Sequence, residues 1–367
     1  MAQRIDPQVL DEALTQIRRA EDHSVTPILT LRHLAHLTGA EYLYLRRIVQ
    51  RQLDPYTVFS RPKRAPGAVR TISAPSPVLM DIQRWLLAHV FDHVHPHRAS
   101  YAYQPGRSAV QCARRHLGAT WLLKFDLHDF FHGIGEPAVY RVLRSLGYNP
   151  LISFEIARIC TRLPDGETRG GGRYKYPVID SYPGRAPGFL PQGAPTSGAL
   201  ANLVARPLDE RLWEVADRYD LAYTRYADDM TFSTLRHLDR ATVTRCVADI
   251  TKAVHRSHFR VHRKKTRVVP PGARKVVLGL LVDGDRLRIP VPARQRLEAH
   301  VRGAATFGLT AHVAHARYSS LGGFVRHVDG MLRYAHGVDR AWAGPLTERW
   351  EAVLAAEGVT ALDRERW

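Results

Sequence analysis

Cysteine is scarce: Cys112, Cys160 and Cys246 are the three in 367 residues, far apart and with no C-x-x-C pair. That excludes a disulfide framework and a zinc knuckle, and it suits a reducing cytoplasm. Acidic residues are also in short supply, 35 Asp and Glu against 53 Lys and Arg, giving a formal net charge of +18 and a pI near 10.2. No apolar run reaches the ~18 residues of a membrane span. No Lys/Arg-rich amphipathic anchor helix is evident, and Met1–Asp6 has no apolar secretory core. Such a basic surface faces a polyanion, and nucleic acid is the default partner. Gly170-Gly171-Gly172 is not followed by Gly-Lys-Ser/Thr, so it is no phosphate-binding loop. His93, His95 and His97 alternate after a predicted helix and read as a solvated turn rather than as metal ligands.

What is present suffices for a globular protein of two or three lobes: the hydrophobic content is 45%. Residues 7–50 carry the apolar spacing of helix. A basic hairpin is expected around Arg61–Gly67 with a strand at Val69–Ile72. Helix follows over Met80–Val94, then a loop at Tyr101–Arg107 with Pro105-Gly106, a short helix over Ser108–His116 and a buried strand over Trp121–Leu127. Glu136–Tyr148 and Ile152–Leu163 read as helices, and 164–188 as a long loop or mobile hairpin rich in Gly, Pro and basic residues. An amphipathic helix runs from Thr196 to about Tyr219, with a kink expected at Pro207. Leu221–Thr224 and Met230–Phe232 read as strands, Thr242–Arg256 as helix, Arg260–Val269 and Lys275–Val282 as strands, and the rest from Pro292 as basic helix.

Tyr226-Ala227-Asp228-Asp229, between two short strands, is the most informative stretch. Adjacent carboxylates repel and lose hydration, and an unpaired buried charge is costly. A divalent metal is the natural compensation, because hard cations prefer carboxylate oxygen. A plain hairpin turn is the other reading, since Asp is common there. Asp126 stands in a similar setting, ending the apolar run Trp121–Phe125. Two metals held by carboxylates from separate strands are the usual apparatus of phosphoryl or nucleotidyl transfer.

From about Tyr56 to Val282 an ordered set of motifs resembles the reverse transcriptases, the bacterial retron type in particular. The segments are Arg70–Pro75, Phe125-Asp126-Leu127-His128-Asp129-Phe130-Phe131, Leu190-Pro191-Gln192-Gly193-Ala194-Pro195-Thr196-Ser197, Tyr226–Asp229, Lys264-Lys265-Thr266 and Leu278-Gly279-Leu280. Departures occur at Cys112–His116, where such enzymes often carry Asn-Ala-x-x-His. They recur at Val277-Leu278-Gly279 for Val-Thr-Gly, and at Gly198, where the family usually has Pro. Both replaced elements help retron enzymes to recognise their own structured RNA. Nothing like a maturase or endonuclease extension follows the C-terminal helices, which points away from a complete group II intron protein.

The resemblance implies an α+β right-hand polymerase: an N-terminal helical segment (1–55), fingers (56–120), a palm with an antiparallel sheet (121–285) and a helical thumb (286–367). It implies RNA-templated DNA synthesis from dNTPs with two Mg²⁺ ions, in a retron or antiphage-defence setting that can include an effector protein. Asp126 and Asp228 are then the direct metal ligands, with the Leu127 carbonyl adding a ligand. Asp229 is a weaker participant, because neighbouring side chains on a strand point apart. Phe131 packs under the incoming sugar and excludes a 2′-hydroxyl, whereas Phe130 packs in the core. Gln192 contacts the incoming nucleotide, Gly193 lets backbone approach closely, and Thr196-Ser197 cap the next helix.

Lys63 and Arg70 are expected to clamp the triphosphate; Lys63 and Arg64 serve equally as contacts to the template backbone. Lys265 reads either as a general acid toward pyrophosphate or as a solvated strand end. Arg294, Arg296, Arg302, Arg317, Arg326 and Arg333, interleaved with Phe307, Tyr318, Phe324 and Tyr334, suit a thumb gripping duplex phosphates; the alternative is a solvated face. Two further functions stay open: a template-independent or protein-primed defence polymerase, and a degenerate RNA-binding scaffold.

Overall fold

The computed structural model describes residues 6–62, 69–164 and 188–366. Helices α1 (Pro7–Asp22), α2 (Leu31–Thr38) and α3 (Tyr42–Val49) precede the strands β1 (Tyr56–Pro62) and β2 (Val69–Pro75). Then come α4 (Pro77–His89), α5 (Ala109–Arg114), β3 (Trp121–Asp126), α6 (Glu136–Ser145), α7 (Pro150–Cys160), α8 (Ser197–Val204) and α9 (Arg206–Arg218). The hairpin β4 (Ala222–Tyr226) and β5 (Asp229–Thr234) leads into α10 (Arg240–Arg256), β6 (Arg267–Val269), β7 (Val276–Val277) and β8 (Leu280–Leu281). Helices α11 (Val291–Phe307), α12 (Leu309–His315), α13 (Leu321–Val338), α14 (Arg340–Ala356) and α15 (Ala361–Arg366) complete the chain. No helix among the described residues is long and apolar enough to cross a membrane. The fold is α+β, as expected.

Several expected elements divide. Residues 7–50 form three helices, ended by His23, by Gly39 in the left-handed region (φ 67°) and by Gln50. The helix expected from Thr196 breaks at Ala205, one residue before Arg206-Pro207, because a proline placed at a helix start needs no amide partner. The strand expected over 260–269 is a 3₁₀ turn at Arg263–Lys265 followed by the short β6. That over 275–282 is a hairpin whose two-residue turn, Leu278 (φ 48°) and Gly279 (φ 84°), has the positive angles such a turn demands. The expected Gly-rich loop lies almost wholly outside the described residues.

The chain divides into two compact units, and these do not follow the lobe boundaries drawn from sequence. The first comprises residues 1–107, 124–230 and 240–266; the second comprises 108–123, 231–239 and 267–367. A four-stranded sheet has the order β4-β5-β3-β6. β3 and β5 run antiparallel: the Leu127 amide donates to the Asp228 carbonyl, and the Thr120 amide to the Thr234 carbonyl. β1 and β2 pair antiparallel, with Arg61 opposite Arg70.

In the first unit a buried polar network underlies the β4–β5 turn. Arg225 and Asp209 are fully buried and bidentate, with Nε to Oδ1 at 2.8 Å and Nη2 to Oδ2 at 2.6 Å. Burial alone would lower the Arg225 pKa, but the Asp209 charge and hydrogen bonds raise it instead. Arg225 Nη1 also donates to Asn202 Oδ1 (3.0 Å) and to the Ala227 carbonyl (3.1 Å), and the Tyr223 hydroxyl donates to Asp209 (2.8 Å). Asn202 reaches the other way: its Nδ2 donates to the Ala102 carbonyl at 2.7 Å, while Ser100 donates to its Oδ1 at 2.9 Å. A second buried group binds α6 to α3 and α7, with Glu136 held by Arg51 (2.5 Å) and Arg158 (3.0 Å).

The second unit has its own apolar core, centred on Phe324, Trp350, Val328, Leu297 and Val301. Trp350 Nε1 donates to Asp329 within it (2.7 Å). His116, at the place of the expected His-bearing motif, is buried and its Nδ1 lies 2.7 Å from the Ser233 hydroxyl, joining α5 to β5. Cys112, Cys160 and Cys246 are buried thiols, and the described residues contain no His, Cys, Asp and Glu group able to ligate a metal at His93–His97 or elsewhere as they stand.

Two stability predictions result. Replacing one partner of a buried ion pair strands the other, which costs about 3–5 kcal/mol. Asp209→Ala is therefore expected to lose about that much in urea unfolding; a loss below about 1 kcal/mol would mean that Arg225 does not depend on it. Glu155 on α7 is 5% exposed, and its Oε2 has no hydrogen-bond partner among the described residues. Burial raises its pKa to about 7, against a smaller lowering by Arg46. The folded state thus keeps a proton that the unfolded state releases, and stability falls as pH rises from about 4.5 to 7. Glu155→Gln removes that dependence, so its stability relative to wild type is expected to improve by about 3 kcal/mol between pH 4 and pH 8. Identical differences at both pH values would disprove the assignment.

Candidate active site

β3 ends at Asp126, with Leu122, Leu123 and Phe125 buried in the core and the carboxylate residue at 8% exposure. The next residue ties the two acidic segments together, since the amide of the buried Leu127 donates to the Asp228 carbonyl at 3.0 Å. Asp228 itself lies in the two-residue turn of the β4–β5 hairpin. Ala227 sits there at φ 57°, a left-handed conformation that costs a non-glycine residue energy, and Arg225 holds its carbonyl. The hairpin turn expected at Tyr226–Asp229 is present, with Ala227 and Asp228 as its two residues.

The electrostatics match a cluster in need of positive charge. Burial, then the neighbouring charges of Asp126 and Asp229, raise the Asp228 pKa. Burial also raises that of Asp229, with Lys124 opposing and Asp126 adding to the rise. Lys265 supplies the missing cation: its Nζ lies 2.9 Å from both carboxylate oxygens of Asp126. Partial burial would lower the Lys265 pKa, but the hydrogen bond and charge of Asp126, with Asp228 and Asp229, raise it. Lys265 belongs to the 3₁₀ turn, not to a strand end, and the backbone beside it is fixed by the His262 amide donating to the Asp126 carbonyl (2.7 Å). No three metal-ligating side chains among the described residues are drawn together tightly enough to hold an ion as they stand. The donor set nevertheless fits Mg²⁺: oxygen ligands only, with an ammonium already standing in for a cation.

The remaining expected residues separate into three groups. Phe131 is half-buried beside Phe130, whose ring is in the core between Phe259 (5.9 Å) and the Arg225 guanidinium (5.6 Å). Gln192 is half-buried, and its carbonyl accepts the Ser73 amide of β2 at 2.8 Å. Gly193, at φ 120°, explains that approach: a Cβ would lie 2.9 Å from Ile72 Cγ2 and 3.0 Å from the Ser73 carbonyl oxygen. The close backbone contact is thus with β2. Arg70 is exposed on β2 and within electrostatic reach of the Tyr103 hydroxyl. Lys63 and Arg64 lie outside the described residues.

Three expectations are corrected. Thr196 makes no side-chain cap to α8, and Ser197 Oγ donates instead to the Pro191 carbonyl at 2.7 Å, which closes the Pro191–Ser197 loop on itself. Arg294 is not free for a phosphate: it pairs with Asp339 (2.5 Å), donates to the Ile289 carbonyl (3.1 Å) and lies over Trp342 (4.7 Å). Phe324 is fully buried core and Tyr318 packs on it, so these two rings belong to the packing of the helices rather than to a duplex-gripping surface. Arg296 and Arg302 remain exposed on α11.

Two residues went unnoticed in the sequence. Lys124 is the cation that offsets Asp229; a basic residue two positions before Asp126, within an apolar strand, was the available signal. Tyr103 stands in the loop expected at Tyr101–Arg107. Its ring stands edge-on to Phe131 at 5.8 Å, and burial followed by the Asp228 charge raises its hydroxyl pKa.

Residues 61–280 match the family model described as reverse transcriptase (RNA-dependent DNA polymerase). The chain is 31% identical over 358 residues to the retron Mx162 reverse transcriptase of Myxococcus xanthus, covering 92% of this chain and 70% of that one. It is 33% identical over 296 residues to the retron Mx65 reverse transcriptase of the same organism, with 80% and 64% covered. It is 29% identical over 285 residues to the retron Ec86 reverse transcriptase of Escherichia coli, with 77% of each covered. With an acidic cluster on β3 and the β4–β5 turn, and a family match spanning both, the chain belongs to the reverse transcriptases as an RNA-directed DNA polymerase of the retron type.

Proposed function

We propose that this chain extends a primer 3′-hydroxyl from dNTPs by two-metal nucleotidyl transfer, with Asp126 and Asp228 as the direct ligands. The observation that carries this reading is the convergence on Lys265: one ammonium 2.9 Å from both oxygens of Asp126, beneath the Asp228 turn. When bound, two Mg²⁺ ions supply an acidified hydroxyl at the attacking end and neutralised charge at the leaving end. The Leu127 carbonyl adds a ligand from the strand end, and Asp229, partnered by Lys124, takes the lesser share.

The chain's own residues orient the reactants. The 3′-oxygen attacks the α-phosphorus as the α–β bridging bond breaks, the hydroxyl proton leaves to solvent, and pyrophosphate departs. Arg70 on the exposed hairpin holds triphosphate oxygens, a task suited to its forked donors, and Lys63 shares that role. Gln192, its backbone fixed to β2, contacts the nascent pair. Phe131 walls the sugar and rejects a 2′-hydroxyl by contact. Lys265, once off Asp126, is a cation beside the leaving pyrophosphate. Arg296 and Arg302 on α11, and Arg64, take phosphates of the template–primer duplex, a contact that weakens with salt.

The lobes we assign are fingers at 56–120, palm at 121–285 and thumb from 286. The partners are an RNA template, a structured non-coding RNA as the relatives' retron names suggest, and the DNA product. The setting is cytoplasmic antiphage defence, with an effector protein as its further component.

Asp228→Ala is expected to abolish primer extension in Mg²⁺ while leaving the thermal melt within a few degrees of wild type. Turnover of even a few per cent of wild type by that variant would remove Asp228 from the ligand set.

A further inference from the structure

Tyr103 occupies a position that local packing alone does not explain. Its backbone has φ 55°, which is uncommon for a non-glycine residue and is sustained where the surroundings over-determine it. Those surroundings are specific. Asn202 Nδ2 holds the Ala102 carbonyl at 2.7 Å, and the Tyr101 amide donates to the Arg225 carbonyl at 2.9 Å. Gln104 Nε2 donates to the Ser100 carbonyl at 2.9 Å. The loop is therefore anchored to the same buried network that holds the Asp228 turn.

The ring held there meets Phe131 and Gly198. It meets Phe131 edge-on, with centroids 5.8 Å apart and planes at 66°. It also lies over Gly198, the second residue of α8, so closely that a Cβ there would be 2.4 Å from its Cγ and 2.7 Å from its Cδ1. No other residue type at 198 leaves the ring in place. Tyr103 is nonetheless 52% exposed, and its hydroxyl is within electrostatic reach of Asp228 and Arg70.

We infer that Tyr103 is a positioning residue for nucleotide selection: its ring, seated on Gly198, fixes the Phe131 ring at the angle that closes the pocket to a ribose 2′-hydroxyl. This rests on the reading of Phe131 as the sugar gate. A Phe131 side chain held only by its chain neighbour Phe130, whose ring lies 5.5 Å from it, can rotate away from a 2′-oxygen, so a gate made by steric exclusion needs a second wall behind it. The aromatic edge-to-face contact provides that wall with a defined geometry.

The test is single-nucleotide incorporation on an RNA template, comparing kcat/KM for a dNTP with that for the matching rNTP. Tyr103→Ala and Gly198→Ala, the second of which displaces the ring without deleting it, are each expected to lower the dNTP preference roughly three- to tenfold, the size of one aromatic contact. Tyr103→Phe is expected to keep the wild-type ratio, because the ring and not the hydroxyl does the positioning. In Phe131→Ala the preference collapses, and adding Tyr103→Ala to it changes the ratio no further, as expected of residues acting through one another.

A purely structural role would lower kcat/KM for both nucleotides together and leave the ratio alone; that result for both Tyr103→Ala and Gly198→Ala, beside a loosened Phe131→Ala, would overturn the inference and spare the gate. An unchanged ratio in Phe131→Ala would overturn both. A Tyr103→Phe enzyme as permissive as Tyr103→Ala would overturn the role of the ring. If Tyr103→Ala fails to fold, Gly198→Ala decides the matter alone.

Discussion

The Arg225–Asp209 pair is the constraint on which the site depends. A guanidinium at zero exposure is tolerable only because a carboxylate, an amide and a carbonyl oxygen receive its hydrogen bonds. The carbonyl is that of Ala227, in the turn that displays Asp228. The amide is that of Asn202, whose own nitrogen holds Ala102 in the loop that displays Tyr103. One buried charge thus sets two surface segments that are far apart in sequence. A hydrophobic replacement of the pair could pack as well, but it would supply no hydrogen bonds to either loop. The polar network is what turns a stable core into a positioned site.

Above that network the charge problem is reversed. Asp228 and Asp229 stand where burial disfavours ionisation, and the neighbouring Asp126 charge makes each harder to hold. Lys265 acts on Asp126, Asp228 and Asp229 and bonds the first directly, whereas Lys124 acts on Asp229. The two lysines differ in a way that matters for chemistry. Lys265 is half-exposed on a short 3₁₀ turn, so its ammonium can leave without exposing apolar surface. Lys124 is fixed within β3. A cation that is removable at Asp126 and retained at Asp229 is the arrangement expected if Asp126 changes partners during the reaction and Asp229 does not.

Much of this was readable from the chain. Asp126, Asp228 and Gln192 stand in motifs whose residue types the chemistry demands, so a short window of sequence carries them. The strands flanking Asp228 were legible for the same reason, each being an apolar run that the β4–β5 hairpin buries. The supporting structure was not legible, because its partners are distant: Ser100 and Asn202 are 102 residues apart, and His116 and Ser233 are 117 apart. Arg294 shows the converse failure. In sequence it is one more arginine on a basic helix, and only Asp339, 45 residues on, reveals that its charge is already neutralised. Composition marks a surface as basic, but it cannot say which arginines face outward.

Backbone conformation carries a last piece of information that side-chain pattern hides. Tyr103, Asp129 and Ala227 all lie at positive φ without being glycine, at 55°, 49° and 57°. Each belongs to a different loop of the first unit, and each loop borders the acidic cluster: one carries the ring against Phe131, one follows Asp126, one contains Asp228. Such conformations cost of order 1 kcal/mol or more apiece and survive only under external restraint. Glycine at these positions would relieve the strain but would release the chain to many conformations. Retaining a side chain there gives fewer alternatives, which is the property a site needs if metal ligands and a sugar-contacting ring must hold their geometry before substrate arrives. At Tyr103 and Ala227 the strain and the buried Arg225 network are therefore two halves of one device, Asn202 and Arg225 restraining the carbonyls of Ala102 and Ala227.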